Sequence, residues 1–310
     1  MEDFKDISVV IPLYNESQSL QELADEVVKV LESTGRSYEV LFIDDGSTDS
    51  SFSILNQLVR RYPFISALRF RKNYGKSAAL SEGFKRTKGR VVVTMDADLQ
   101  DDPHEIPRLI NKLQEGYDLV SGWKKRRRDP LTKRLPSKIF NFVTSLLTGL
   151  RIHDFNCGLK AYRSEVVKSI RVYGELHRYI PALASWEGFN VGELPVSHRP
   201  RKYGGSKYGL SRFFSGFFDL FTVLFLGRYM RRPLHFFGIP GFLLLFAGLV
   251  INIYLSILWF SGTWIGRRPL LFLGILLMIV GVQFISLGLL GEMITHTRGK
   301  SEEYGIDEVL

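Results

Sequence analysis

Two stretches without a charged side chain constrain this chain more than any other feature of it. Residues 234–260 and 270–291 contain no Asp, Glu, Lys or Arg. At 1.5 Å of rise per residue, each is long enough as a helix to cross a hydrocarbon layer of about 30 Å, the first with some tilt. Core helices of a soluble domain are the competing explanation, but two such runs separated only by residues 261–269 favour a membrane hairpin. Gly274, Gly281 and Gly288 recur every seven residues, so they share nearly one helix face and permit close packing, within the hairpin or between protomers. Arg228, Arg231 and Arg232 precede the first span, Arg298 and Lys300 follow the second, and the loop carries Arg267 and Arg268. The positive-inside bias is therefore mild. Two spans leave both termini on one side. The polar, acidic start does not read as a signal peptide, so the N-terminal part and both termini are expected in the cytoplasm.

The N-terminal two thirds read differently. Apolar runs at 7–12, 38–43, 65–70 and 91–95 have the length of buried strands. Between them, 17–33, 51–61 and 77–87 carry helical periodicity; the first places Leu20, Leu23, Val27, Val30 and Leu31 on one face. Strands alternating with helices predict an α/β fold, a mostly parallel Rossmann-like sheet covered on both faces. Ligands of such sheets bind beyond the carboxyl ends of the strands. Asp44, Asp45, Asp96 and Asp98 fall at those ends.

Charge and amphipathic pattern extend the reading. The chain has 41 basic and 32 acidic residues, a net charge of +9, which calls for an anionic partner: nucleic acid, nucleotide or anionic lipid. Leu210, Phe213, Phe214, Phe217, Leu220, Phe221 and Leu224 form an apolar stripe suited to a membrane surface. Ile139, Val143, Leu146, Leu147 and Leu150 form another, preceded by the basic run 124–128 and by Lys133, Arg134 and Lys138. This second stripe suits a membrane surface and packing on the sheet equally. The expected organisation is a catalytic domain at 1–208, an amphipathic juxtamembrane helix at 209–232, two spans within 233–292 and a tail at 293–310.

Chemistry concentrates in the strand-end loops. Asp96-Ala97-Asp98, followed by Gln100, offers hard oxygen donors that a divalent cation can share with phosphates. Alone, such a pair is as common in solvated turns. Here Pro12–Glu16, Asp44–Asp49 and Arg71–Lys76 add three more polar loops beside it. The single cysteine, Cys157, excludes a disulfide framework and cysteine-based metal sites, and it reads as a packed small residue. The six histidines show no ligand spacing.

These residues carry a resemblance. Pro12-x-Tyr14-Asn15-Glu16, Asp44-Asp45-Gly46-Ser47, Asn73-x-Gly75-Lys76 and Asp96-Ala97-Asp98-Leu99-Gln100 resemble family 2 glycosyltransferases of the GT-A fold. Asp154-Phe-Asn-Cys-Gly-Leu-Lys-Ala-Tyr-Arg163, Gly204-Gly-Ser-Lys-Tyr208 and the two-span end extend the similarity along nearly the whole chain, to polyprenyl-phosphate glycosyltransferases: the bactoprenol glucosyltransferases, aminoarabinose transferases and dolichol-phosphate mannose synthases. The Q-x-x-R-W motif and additional helices of processive polysaccharide synthases are missing, which argues against polymer synthesis.

The resemblance implies a nucleotide-sugar donor held by Pro12, Tyr14, Glu16, Ile43, Asp45, Lys76, Asp96 and Ala97. It implies a Mg2+ or Mn2+ site at Asp96, Asp98 and Gln100, and a polyprenyl monophosphate acceptor. An ionised phosphate is its own nucleophile, so the acceptor needs cations to hold it. Candidates are Lys124, Arg126, Lys133 and Arg134 with Ser137, and Arg199, Arg201 and Lys207. Catalysis is expected at Asp98, Asp154, Arg126 and Arg201. Asp154 can bind a sugar hydroxyl, orient a cation or act as a base. The resulting expectation is inverting transfer of one sugar, glucose from UDP-glucose first, to polyprenyl phosphate at the cytoplasmic leaflet, by a homo-oligomer for which a tetramer is one possibility. GDP-mannose, UDP-N-acetylglucosamine or UDP-aminoarabinose are alternative donors. A non-catalytic nucleotide-sugar sensor is the alternative from another class; nucleic-acid binding, supported by charge alone, is not expected.

Overall fold

The computed structural model describes residues 4–125, 131–200, 202–203, 233–262, 264 and 269–297, without the side chains of 131–136, 139 and 295–297. The chain divides into two compact units, Met1–Leu220 and Phe221–Leu310.

The first unit is built on a seven-stranded sheet in the order β3-β2-β1-β4-β6-β5-β7. Strands β1 (Lys5–Leu13), β2 (Tyr38–Asp44), β3 (Ile65–Arg69) and β4 (Gly89–Thr94) run parallel. They are joined by α1 (Leu20–Ser33), α2 (Ser51–Arg61) and α3 (Lys76–Arg86). The apolar runs form these strands because both sheet faces are covered. Ile7, Val9 and Ile11 point into a core shared with Leu23 and Val27 of α1, Leu55 and Leu58 of α2, and Leu109 of α4 (Ile106–Gln114). Helix α3 packs against β1 and β2, and Val10 and Ile43 lie beneath its Gly83. Removing one such fully buried leucine costs about 2–5 kcal/mol.

Two details depart from the periodicity. The first helix begins at Leu20 rather than at 17, because Ser19 Oγ donates to the carbonyl oxygens of Glu16 and Ala97 and ties the preceding residues into the β4 loop. The sheet is also mixed. β5 (Leu119–Trp123) and β7 (Val191–Pro195) pair in parallel, while β6 (Lys160–Arg163) runs antiparallel between β4 and β5. Segments α6 (Ser164–Ser169) and α7 (Ile180–Trp186) complete the unit.

Helix α5 (Leu131–Thr148) leaves much of its apolar stripe exposed. Its buried residues include the polar Asn141, Thr144 and Thr148, whereas Phe142 and Leu146 are 70% and 71% exposed. Thr148 Oγ1 satisfies itself on the Thr144 carbonyl oxygen at 2.7 Å. Leu150, beyond the helix, packs inward beside Ile152 and Phe155, but most of the stripe's described residues do not pack on the sheet.

The second unit is a helical pair, α8 (Pro233–Phe260) and α9 (Pro269–Thr297). Both are long and apolar enough to cross a membrane and bury little of their surface on each other. Gly248 faces Gly274, and Gly241 faces Gly281, so the helices pack antiparallel. A methyl group on Gly248 would lie 2.6 Å from the Gly274 carbonyl oxygen. The glycine repeat therefore serves contact within the hairpin, and Gly241 and Gly248 repeat the seven-residue spacing on α8.

Candidate active site

Four parallel strands deliver the site. At the end of β1, Asn15 adopts a left-handed conformation (φ 57°). Its backbone N–H donates to Ser47 Oγ at 2.9 Å and its side-chain oxygen accepts from the Thr48 N–H at 2.8 Å. The loops after β1 and β2 are thus fastened together. Asp44 is fully buried, accepting from the Ser47 N–H at 2.8 Å. Asp45 accepts from the N–H groups of Tyr74 and Gly75 at 2.7 and 2.9 Å, holding the loop after β3 against the same edge. Burial raises the Asp45 carboxyl above the usual carboxylate range, against those two hydrogen bonds.

The loop after β4 carries the charge. Lys76, at the start of α3, forms an ion pair with Asp96. The Asp96 N–H donates to Asp101 at 3.2 Å, and Asp101 in turn pairs with Lys124 at 2.9 Å. Burial alone would raise the Asp96 carboxyl, but Lys76 and Lys124 hold it down at about 2. Asp98 Oδ1 accepts from the Gln100 N–H at 3.1 Å, and Leu99 between them has φ 61°. Among the described residues, no three His, Cys, Asp or Glu side chains form a ready-made metal cluster. Two carboxylates on one loop are nevertheless hard donors of the kind that hold Mg2+ or Mn2+ jointly with phosphate oxygens, so the donor set fits a cation shared with a ligand.

Comparison with known proteins places this arrangement. Residues 8–171 match the profile of Glycosyl transferase family 2. A dodecaprenyl-phosphate galacturonate synthase from Rhizobium johnstonii is 38% identical over 298 residues, covering 94% of this chain and 88% of the relative. The chain belongs to glycosyl transferase family 2. An undecaprenyl-phosphate 4-deoxy-4-formamido-L-arabinose transferase from Edwardsiella ictaluri is likewise 38% identical, over 95% and 91% of the two chains. A crystal structure of glucosyl-3-phosphoglycerate synthase from Mycobacterium tuberculosis superposes with a TM-score of 0.56 at 18% identity, covering 71% of this chain and 79% of that one. That likeness establishes the GT-A-like fold. This family 2 member is thus a glycosyltransferase.

Of the residues expected in the glycosyltransferase site, the structure gathers Pro12, Lys76 and Asp96 around one cleft. Ile43 and Ala97 are buried behind it. Tyr14 and Glu16 lie on the β1 loop, where the Glu16 N–H donates to Ser51 Oγ at 3.1 Å. Asp154 is 1% exposed, its carboxylate accepting from the Asn156 N–H at 3.2 Å. Lys124, half of the Asp101 pair, is committed inside the loop. Arg199 is fixed by Glu26 at 2.7 Å and Asp102 at 2.8 Å, and its N–H donates to the Gln100 carbonyl oxygen at 2.9 Å. Ser137 is half-buried on α5. Arg126, Arg201 and Lys207 lie outside the described residues, as do the side chains of Lys133 and Arg134 and the whole of 209–232, where an amphipathic helix is expected from the sequence. Burial pushes the Cys157 thiol up to about 12.

The periodicity did not point to Asp101, Asn156, Gly158, Lys160 or His177. Lys160 had a signal: it is a charge inside the otherwise apolar run Leu159–Tyr162. His177 had none, since only the fold brings its Nδ1 to 2.9 Å from Ser77 Oγ.

Proposed function

We propose that this glycosyltransferase moves a single sugar from a nucleoside diphosphate donor to a polyprenyl phosphate at a membrane surface. Full-length similarity to two named polyprenyl-phosphate sugar transferases carries the reading, and the two apolar helices agree with a membrane-bound acceptor. The donor's base and ribose lie along the Pro12–Glu16 and Asp44–Ser47 loops, with the diphosphate over Asp96-Ala97-Asp98. Asp96, Asp98 and Gln100 would hold Mg2+ or Mn2+. When bound, that cation neutralises charge on the departing diphosphate. The fold neighbour glucosyl-3-phosphoglycerate synthase has been crystallised with Mn2+ and UDP-glucose, which supports a divalent ion here.

The acceptor phosphate is largely ionised at neutral pH, its second pKa being about 6. One of its oxygens bonds to the anomeric carbon as the bond from that carbon to the diphosphate oxygen breaks on the opposite face. Configuration inverts, the nucleoside diphosphate leaves, and no general base is required. Holding the phosphate in line is the task of cations, for which Arg126, Arg134, Arg201 and Lys207, with Ser137, are the proposed set; Arg199 reaches it only by releasing Glu26 and Asp102. Asp154, buried below, acts on the sugar or on a neighbouring cation.

Glucose from UDP-glucose is the first donor to test. A second reading has its own support, because the two relatives are named for galacturonate and formamido-arabinose. The membrane hairpin within 233–292 and the amphipathic helix at 209–232 anchor the catalytic domain, 1–208, at the cytoplasmic leaflet. Both termini, including the 293–310 tail, face the cytoplasm, and the assembled form is a homo-oligomer, a tetramer among the possibilities. The test is transfer of labelled sugar to polyprenyl phosphate by purified protein. Asp98→Ala and chelation of divalent metal should each reduce it by roughly a hundredfold or more. Full activity of the alanine variant would remove Asp98 from the metal site.

A further inference from the structure

The cleft that Asp96 lines has a volume of about 10 Å³, room for one water-sized group. Lys76, Asp96, Asn156, Lys160 and His177 line it. Three lysines reach this region, and two of them have a carboxylate partner: Lys76 holds Asp96, and Lys124 holds Asp101. Lys160 does not. It is 3% exposed, and its ammonium donates to the carbonyl oxygen of Cys157. Among the described residues, that neutral oxygen is its one hydrogen-bond partner, and no carboxylate lies within ion-pairing distance. A buried ammonium whose one hydrogen bond goes to a neutral acceptor is incompletely compensated. Burial, foremost, and the like charge of Lys76 lower its affinity for a proton, against the opposing pull of Cys157, Asp154 and Asp96, none of which it pairs with directly. Position in the fold does not demand a cation, since Lys160 sits in β6 between Thr94 of β4 and Ser121 of β5 with Leu159 and Ala161 in the core. Gly158 keeps the approach open, because a methyl group there would lie 2.6 Å from the Asp96 carboxylate. His177 is anchored from behind by Ser77 through both Nδ1 and its backbone N–H. Burial, then the charge of Lys76, hold its imidazole neutral.

We propose that Lys160 is a binding cation for an anionic oxygen of the donor, received in the cavity beside Asp96 with His177 as a neutral second contact. The proposal rests on the nucleotide-sugar reading above. Two parts of a donor carry such an oxygen: the diphosphate, and a carboxylate on the sugar ring.

Titration calorimetry on the full-length protein in nanodiscs separates them, with UDP, GDP, UDP-galactose and UDP-galacturonate as ligands, with and without Mn2+. UDP-galactose and UDP-galacturonate differ only in the group at C6. Lys160→Met should weaken binding by about tenfold or more, the loss of one charge-assisted hydrogen bond, whereas Lys160→Arg should stay within about threefold of the wild type. An equal loss for UDP and both sugar nucleotides assigns the oxygen to the diphosphate. A loss confined to UDP-galacturonate assigns it to the carboxylate. Either supports the proposal. Lys160→Met should fold with a melting temperature at or above the wild type, because it removes a poorly compensated buried charge. Unchanged affinity for every ligand in that variant would overturn the proposal. Wild-type protein that binds neither UDP nor GDP would instead overturn the donor reading, and this proposal with it.

Discussion

Asp96 is positioned by what surrounds it. Lys76 and Lys124 supply charge, Asp101 takes its N–H, and Gly158 leaves room for its carboxylate. Gly158→Ala should therefore shift the carboxylate and lower turnover roughly ten- to a hundredfold while the chain stays folded, since sub-ångström to 1 Å misplacements cost on that order. Turnover within twofold of the wild type would show that Asp96 tolerates the displacement. His177 offers a test in pH. Its imidazole is held down to about 2, chiefly by burial, against about 6.5 in an unfolded chain. Below 6.5 the unfolded state takes up a proton that the folded state refuses, so stability is present above that pH and is lost as pH falls towards 2. Unfolding followed between pH 6.5 and 4 should show His177→Asn with a shallower slope, by up to one proton. An identical slope would mean that His177 protonates freely in the folded protein. Asp96, Asp98 and Gln100 were legible in the sequence because they are neighbours on one loop. Lys160 stood inside the Asp154–Arg163 segment, but its place at the cleft did not show until β6 was paired into the sheet. His177 was not legible at all, because the short turn at Leu176–Tyr179 brings it in from far along the chain.

At the scale of elements, the four parallel strands announced themselves by apolar runs bounded by turn residues. The antiparallel β6 did not: it has four residues, one of them charged, and its direction is set by pairing with β4 and β5. Helix α5 shows the converse limit. Periodicity identified its apolar stripe, but only tertiary structure reveals that Asn141, Thr144 and Thr148 face inward. Leu146→Asp should then leave thermal unfolding of the catalytic unit unchanged, as exposed substitutions usually do within about 0.5 kcal/mol, while reducing transfer to acceptor embedded in vesicles if this face meets lipid. A large drop in melting temperature would show instead that Leu146 is packed. In the hairpin, the glycine repeat was legible and its partner was not. Gly281→Leu places side-chain atoms where Gly281 now meets the Leu245 backbone, a Cβ there lying 2.6 Å from Leu245 N. It should separate α8 from α9, seen as loss of disulfide cross-linking between cysteines introduced on the two helices; undiminished cross-linking would contradict the packing.

For the whole molecule, the basic charge, the carboxylate loop and the apolar hairpin meet in one account: a glycosyl transferase family 2 member working at a membrane on a lipid phosphate. The parallel half of its sheet could be foreseen because it obeys the alternation of strands and helices, and its membrane character because uncharged runs of that length have few other uses. The sugar was not legible, since one oxygen or carboxylate on a ring is discriminated by a few side chains gathered from separate elements. The decisive measurement is mass spectrometry of lipid extracted after the purified protein is incubated with polyprenyl phosphate, divalent metal and one donor at a time: UDP-glucose, UDP-galacturonate, UDP-4-deoxy-4-formamido-L-arabinose, UDP-N-acetylglucosamine or GDP-mannose. The account predicts a polyprenyl monophosphate bearing one sugar from one of these donors, with release of the matching nucleoside diphosphate and no longer glycan. A folded, nucleotide-binding protein that yields no glycosylated lipid from any of them, or one that builds a polymer, would contradict it.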